Sequence, residues 1–356
     1  MNIVGLITEY NPFHNGHLYH IQEAKRVTKA DATVVIMSGN FVQRGAPAIM
    51  PKHLRAKSAL LSGADLVLEL PVCFATGSAE FFAMGAIALL DSLGCVDSIC
   101  FGSECGDSEI LKKITKILSE EPDDYKKALQ NALRKGMSFP QARQTALTQY
   151  FDMLSTNPDR ISSVNTKTVA TILAQPNNIL GIEYMKALYQ RNSSMKAYSI
   201  RRIGAGYHES ELTEKYSSAS AIRHSLAKDS LSESIYRQLP FAAQTIMKET
   251  FDMRYPVYAN DFSLILKYKL LQETKKSLTS YMDVSEDLAN RIINLRNDFQ
   301  SFDGFCNTLK TKDMTYARIS RGLLHILLDI RTEHLANYKK NGYCHYAHIL
   351  GFRKSS

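Results

Sequence analysis

No stretch of this chain holds the roughly 18 uninterrupted apolar residues that a membrane-crossing helix needs, although hydrophobic residues make up 45% of its 356 positions. Met1–Glu9 has no basic n-region and no cleavage site, so no export signal is visible. The six cysteines (Cys73, Cys95, Cys100, Cys105, Cys306, Cys344) include no C-x-x-C pair. That spacing indicates neither a thiolate zinc site nor a disulfide framework, no other metal-ligating motif stands out, and reduced thiols in the cytoplasm fit best. Internal repeats and low-complexity tracts are absent as well. So is any convincing pairing of a nucleophile with a base, which points away from covalent catalysis.

What is present is an ordinary globular composition, 22% charged, in a chain long enough for two domains that each bury a core. The net charge is +8 and is unevenly spread. Residues 301–356 carry nine bases (Lys310, Lys312, Arg318, Arg321, Arg331, Lys339, Lys340, Arg353, Lys354) against four acids (Asp303, Asp313, Asp329, Glu333). A basic end of this kind points to a polyanion, most often nucleic acid. Arg318 and Arg321 stand three apart, so a helix there presents them on one face, away from a Leu323/Ile326/Leu327 stripe.

The apolar, β-branched runs Asn2–Thr8 and Ala32–Met37 read as buried parallel strands, with a helix over Gly16–Ala30 between them. Asp65–Leu70 and Ser98–Phe101 add two strands around a helix at Ala79–Leu93, and Tyr198–Ile203 reads as a late strand. The alternation predicts an α/β fold: a doubly wound, Rossmann-like parallel sheet with its site at the carboxyl ends of the strands. Asp65 and Glu69, inside a buried-looking strand, fit structural ion pairs better than ligands. Beyond Pro240 only helical periodicity remains, with stripes Leu264/Leu270/Leu271 and Leu288/Ile292/Leu295. The expected division is a catalytic domain over 1–235 and a helical, basic, all-α domain over 236–356.

The sharpest signal follows the first strand: Glu9-Tyr10-Asn11-Pro12-Phe13-His14-Asn15-Gly16-His17. Asn11-Pro12 makes a turn, and Gly16 allows a ligand close to the backbone. His14 and His17 then stand at a helix N-terminus, whose free N–H groups favour anions. Imidazoles there can donate to the oxygens that gain charge in transfer at an α-phosphate. Late in the same domain, Tyr216-Ser217-Ser218-Ala219-Ser220-Ala221-Ile222-Arg223 offers hydroxyls that cap a helix and an arginine that can clamp phosphates. Ser38, Gly39, Gln43 and Arg44 follow the second strand and should face the same crevice, where small residues, an amide and an arginine could hold a small anion.

The H-x-G-H turn and the S-S-x-S-x-x-R segment together resemble the nucleotidylyltransferase superfamily that shares a HIGH-type motif with class I aminoacyl-tRNA synthetases. Met37–Gly45 (MSGNFVQRG), Gly63–Pro71 (GADLVLELP), Phe101–Glu104 (FGSE), Pro176–Gly181 (PNNILG) and Arg201–His208 (RRIGAGYH) narrow this further. They resemble the bacterial tRNA(Met) cytidine acetate ligases in order and spacing over most of residues 1–225. The resemblance implies an ATP-dependent ligase that forms acetyl-adenylate from acetate and acetylates the wobble cytidine of elongator tRNA(Met), releasing AMP and pyrophosphate. It implies ATP along Ile7, Thr8, Glu9, Tyr10, Asn11, Pro12, Phe13, His14, Asn15, Gly16, His17, Leu18, Tyr19 and His20. Gly102 is implied as a further contact, with Asn177 or Asn178, Arg201 or Arg202, and Ser218 and Ser220. Catalysis is implied for His14, His17 and Arg223, with Mg²⁺. Pro51-Lys52-His53 departs from the family pattern, which has an acidic residue and a Trp around the lysine. The family also usually continues beyond the point where this chain reads Gly351–Ser356. The alternative is a small-metabolite nucleotidylyltransferase or a pantothenate-synthetase-like ligase, neither of which needs a basic helical domain.

Overall fold

A computed structural model describes residues 1–156, 166–203, 212, 216–228 and 231–354. The Gly204–His208 part of the RRIGAGYH motif lies outside the described residues. The strands are β1 (Ile3–Thr8), β2 (Ala32–Ser38), the short hairpin pair β3 (Phe41–Val42) and β4 (Ala46–Pro47), β5 (Leu66–Leu70), β6 (Ser98–Ser103), β7 (Lys196–Arg201) and β8 (His348–Phe352). Six of them form one sheet in the order β7-β6-β1-β2-β5-β8, and every pairing is parallel except that of β8 with β5.

Neighbouring residues of each inner strand enter opposite cores, since successive side chains point to opposite faces. Val34 and Ile36 join the core under the Ala79–Ser92 and Pro176–Gln190 helices, while Val35 and Met37 join the core under the Asn15–Thr28 and Lys52–Leu61 helices. With no polar face to spare, the strands are stable only between helical layers, which is the doubly wound arrangement read from the sequence. The two acids in the third run are structural. Asp65 receives the Thr33 N–H at 2.8 Å and pairs with Lys25 at 2.7 Å. Glu69 pairs with Lys52 at 2.6 Å and with His348 of β8 at 2.6 Å, which gives that lysine a partner in the sheet.

Beyond Pro240 the chain is helical: Ala243, Ile246 and Met247 of the Phe241–Thr250 helix join the sheet core, and from Leu266 on a separate core forms, with Leu288, Ile292, Leu323 and Ile326 buried as the periodicity predicts. Two features differ from the sequence reading. In the Ser263–Gln272 helix the buried pair is Leu266 and Leu270, while Leu264 is 80% and Leu271 49% exposed. Apolar residues surround that helix, so periodicity alone cannot choose its inner face. The second correction concerns the all-α domain over 236–356: β8 leaves it and returns to the sheet. β8 is short and half-exposed, with Ile349 and Phe352 turned outward, so no buried alternation marks it.

Besides β8, buried side-chain contacts fasten the helical segment to the sheet unit. Ser320 Oγ donates to the Gly45 carbonyl at 2.8 Å. The buried His325 ring lies 3.0 Å from the Met282 carbonyl and 3.2 Å from that of Thr76, which follows β5. Gly45 has φ +79°, and a Cβ there would overlap the backbone at Ser320 and Arg321. Gly94, with φ +68°, has open space around its absent Cβ. Gly94→Ala is therefore expected to destabilise by the left-handed strain alone, about 1–2 kcal/mol. Gly45→Ala adds a backbone overlap and is expected to cost at least about 1 kcal/mol more. Urea unfolding of the two variants checks the order; equal losses would show that the seam at Gly45 bears no load.

A candidate active site at the carboxyl ends of the strands

The chain runs from β1 outward to β2 and β5, then crosses back to place β6 on the other side of β1. That reversal opens a crevice at the carboxyl ends of β1 and β6, the place where doubly wound sheets bind ligands. Here it is a cleft of about 710 Å³, within the range of small-molecule sites. Its walls include Thr8 at the end of β1 and Glu9 after it, Gly102 in β6, Arg201 and Arg202 at β7, and Ser217, Ser218, Ser220 and Arg223.

The first motif builds the floor. His14 caps the Asn15–Thr28 helix: its Nδ1 accepts the Gly16 N–H at 3.0 Å, and His17 Nδ1 lies 3.3 Å from the His14 N–H. Each Nδ1 is thereby an acceptor, so the proton of each neutral ring sits on Nε2. The two rings stack with centroids 3.8 Å apart. Tyr10, fully buried with φ +49°, packs edge-on to both Phe13 and His17 at 4.8 Å and fixes the turn from below. His20 adds a third imidazole, with Nε2 3.2 Å from the Cys100 carbonyl.

The second motif meets the first across more than two hundred residues. Arg223 donates from Nη1 to the Asn11 carbonyl at 2.7 Å and from Nη2 to Ser220 Oγ at 3.2 Å. Ser218 Oγ caps its helix, accepting the Ala221 N–H at 3.1 Å. Opposite, Arg202 Nη1 donates to Asn177 Oδ1 at 3.4 Å, and Asn177 Nδ2 donates to Glu104 at 2.6 Å. A Cβ on Gly102 would lie 3.1 Å from Arg202 Cγ, so glycine keeps that arginine against the strand end.

The sequence candidates separate into two groups. Ile7, Thr8, Glu9, Tyr10, Asn11, His14, Gly16, His17, Tyr19 and His20 line the cleft, as do Gln43, Arg44, Gly102, Asn177, Arg201, Arg202, Ser218, Ser220 and Arg223. Pro12, Phe13, Asn15, Leu18, Ser38, Gly39 and Asn178 do not. Phe13 is core, and Asn15 bonds to the Arg237 carbonyl at 2.8 Å. Asn178 is buried and spends its amide on the Glu104 and Cys105 N–H groups and the Ile172 carbonyl. Ser38 is fully buried, and Gly39 leaves room for the Glu69 carboxylate.

Sequence reasoning passes over Arg55, which lies in the Lys52–Leu61 helix and is completely buried. Its guanidinium donates to four backbone carbonyls: Met50 at 3.0 Å, Ser38 at 3.1 Å, Glu9 at 2.5 Å, and Gly39. Burial lowers its pKa to about 10, which still leaves it a cation. No motif announces this residue. A single arginine in the buried face of a helix is its only trace in the sequence. Tyr184, which also lines the cleft, has no motif either.

The basic cluster is less free than its count. Arg321 pairs with Asp283 at 2.8 Å, Arg331 with Asp329 at 2.9 Å and Arg353 with Asp65 at 3.5 Å. Lys339 lies 4.6 Å over the Phe81 ring. Arg318, by contrast, is exposed, so the face expected to carry two arginines presents one openly.

Burial sets the electrostatics of the floor. It pushes His14 down to about 3, helped by Arg202 and Arg223, and His20 down to about 4, helped by Arg202. It holds His17 well below its ordinary value too. All three are neutral donors at physiological pH. For His14, between the ordinary 6.5 and the folded value of about 3, the unfolded chain binds a proton that the folded chain refuses. Stability is therefore present above pH 6.5 and lost as pH falls, by roughly 1.4 kcal/mol per pH unit for each such histidine. Replacing His20 by Asn, which can still donate to the Cys100 carbonyl, is expected to remove about one proton from that slope in urea unfolding between pH about 7 and about 5. An unchanged slope would mean that His20 titrates normally.

Comparison with known proteins agrees with the geometry. The profile of the HIGH Nucleotidyl Transferase family matches residues 1–356. The tRNA(Met) cytidine acetate ligase of Alkaliphilus metalliredigens is 42% identical over 334 residues, covering 93% of this chain and 78% of the relative. That of Halothermothrix orenii is 40% identical over 355 residues, covering 99% and 82%. The apo crystal structure of Thermotoga maritima TmcAL superposes with a TM-score of 0.92 at 37% identity, over 99% of this chain and 81% of that one. Its form bound with alpha-thio ATP gives 0.89 at 36% identity, over the same shares. With these strand ends, this H-x-G-H turn and this arginine against it, the chain belongs to the HIGH nucleotidyl transferase family and, within it, to the tRNA(Met) cytidine acetate ligases.

Proposed function

We propose that the protein, acting in the cytoplasm, joins acetate to the wobble cytidine of elongator tRNA(Met) at the expense of ATP. A carboxylate oxygen of acetate attacks the α-phosphorus. The bond to the bridging oxygen of the β-phosphate breaks, and pyrophosphate leaves. The N4 lone pair of cytosine then attacks the acetyl carbon of the adenylate, AMP departs with the acyl C–O electrons, and the nitrogen gives its surplus proton to solvent. Cytosine N4 is amide-like and a poor nucleophile, so a mixed anhydride is what makes the second step feasible.

The observation that carries this reading is Arg223 bonded to the Asn11 carbonyl beside the stacked His14 and His17 rings. It brings two neutral Nε2–H donors and a fixed cation to one point at a helix N-terminus. Neutral donors suit the α-phosphate: they stabilise charge as it grows without holding the product by full ionic attraction. Arg223, Ser218 and Ser220 are assigned to the β- and γ-phosphates. Gly102, Asn177, Arg202 and Arg201 are assigned to the nucleoside end, along the Ile7–His20 wall. Gln43 and Arg44 face the acetate, while Ser38, Gly39 and Asn178 serve as support behind the wall. The segment after residue 235 is assigned the tRNA contacts, with exposed Arg318, Lys310 and Lys312 among them. Among the described residues no three His, Cys, Asp or Glu side chains come together as a metal cage. A Mg²⁺ arriving with ATP would neutralise phosphate charge in the cleft.

Two outcomes test the assignment. Incubation with ATP, acetate and tRNA is expected to yield AMP and pyrophosphate; ADP as the main nucleotide would overturn it. His17→Ala is expected to lower acetate-dependent ATP–pyrophosphate exchange by about 10²–10³, the usual loss for one preorganised donor. Its unfolding transition should stay near that of the parent protein. Exchange at the parental rate would remove His17 from the chemistry.

A further inference from the structure

A second cavity, of about 580 Å³, lies behind the hairpin β3–β4. Gln43, Arg44, Ala46, Ala79 and Ala259 line both it and the active-site cleft, so the two spaces share one thin wall. Its far side belongs to the helical segment: Asp303, Tyr316, Ala317, Ser320 and Arg321. That side is held firmly, with Tyr316 Oη on Asp303 at 2.5 Å, Arg321 Nε on Asp283 at 2.8 Å and Ser320 on Gly45 at 2.8 Å. The shared wall carries an unmet need. The Gln43 backbone N–H is satisfied by Glu9 Oε1 at 2.8 Å, yet its side-chain Nε2 is buried with no acceptor among the described residues. A buried amide donor without an acceptor is costly, so an oxygen that arrives with a ligand is its natural partner.

We infer that this cavity is the port through which the acceptor cytosine reaches the acyl group. The inference rests on the two-step reading above, in which one ligand occupies the cleft when the second arrives. An adenylate laid along the Ile7–His20 side of the cleft leaves the acceptor to approach from the opposite, Gln43–Arg44 side. The shared wall is the side on which sheet unit and helical segment meet. A nucleobase entering there meets the Tyr316 ring, an aromatic surface of the kind on which unpaired bases stack. The Arg44 guanidinium at the shared wall suits a flanking phosphate. The Gln43 amide lies where the two ligands touch, with its free donor available to the acyl oxygen.

The test is to fill the port and leave the cleft alone. In the full chain, Ala317→Trp is expected to keep acetate-dependent ATP–pyrophosphate exchange within about twofold of the parent and to lower acetylation of a tRNA(Met) transcript about tenfold or more. Ala317→Ser, which adds little volume, is expected to leave both unchanged. If the indole lowers the melting temperature, Ala317→Leu carries the same test with less added bulk. Acetylation at the parental rate with the port filled overturns the inference. So does an equal loss of both half-reactions in a folded variant, because the wall would then belong to the ATP site. A parent protein with no acetate-dependent exchange at all would instead count against the functional reading.

Discussion

The site depends on one buried cation. Arg55 holds no carboxylate; it gathers the carbonyls of Glu9, Ser38, Gly39 and Met50, the points where the chain leaves β1 and β2 and where it enters the Lys52–Leu61 helix. Strand ends are where a sheet stops supplying partners to its own backbone, and buried carbonyls left there would be costly. A guanidinium answers this with several donors fixed in one plane, a geometry that a lysine cannot copy. Because Glu9 opens the H-x-G-H turn and Ser38–Gly39 opens the hairpin loop, both loops are referred to one rigid group. The distance between the phosphate floor and the Gln43–Arg44 wall is thereby set from below. Glu9 and Glu69, close enough to raise its pKa, offset part of the burial.

Above that foundation the electrostatics divide by type. The floor is made of neutral imidazoles and the rim of arginines. Buried charge in the floor would need full compensation whenever the cleft is empty. Imidazoles avoid this by staying unprotonated; the Nδ1 atoms of His14 and His17 are occupied by backbone N–H groups, which leaves Nε2–H as their donor. The helix N-terminus supplies positive potential without an ion.

The parts that were legible in the sequence are those whose chemistry is local. β-branched runs gave four strands because both faces are buried, and a turn with two histidines needs only nine consecutive residues to be recognised. Ser217–Arg223 became legible only in company with that turn, and the Arg223–Asn11 bond is the physical form of that company. What stayed hidden depends on three-dimensional context. Asn177 and Asn178 are adjacent and chemically identical; the rotation of about 100° between neighbouring helix residues sends the first to the cleft and the second to the Glu104–Cys105 amides. Arg55 looks like any helix arginine until four carbonyls surround it. Leu264 and Leu271 fit a stripe as well as Leu266 does, and the choice between faces belongs to the neighbours that arrive later in folding. The basic excess in residues 301–356 was real as a count, yet Asp283, Asp329 and Asp65 claim three of its arginines.

The return of β8 to the sheet has a further consequence for how the molecule can be divided. It lies alongside β5, where it takes up that strand's outer row of backbone donors and acceptors, and Glu69 grips it through His348. Excising everything after residue 235 would strip that cover and leave β5 as a bare, flat, apolar edge, the kind of template on which chains add to one another. The helical segment is thus a loop closed at both ends on the same sheet, fastened where it leaves and again where it comes back. Solubility of the sheet unit and attachment of the helical segment are, in this architecture, the same property.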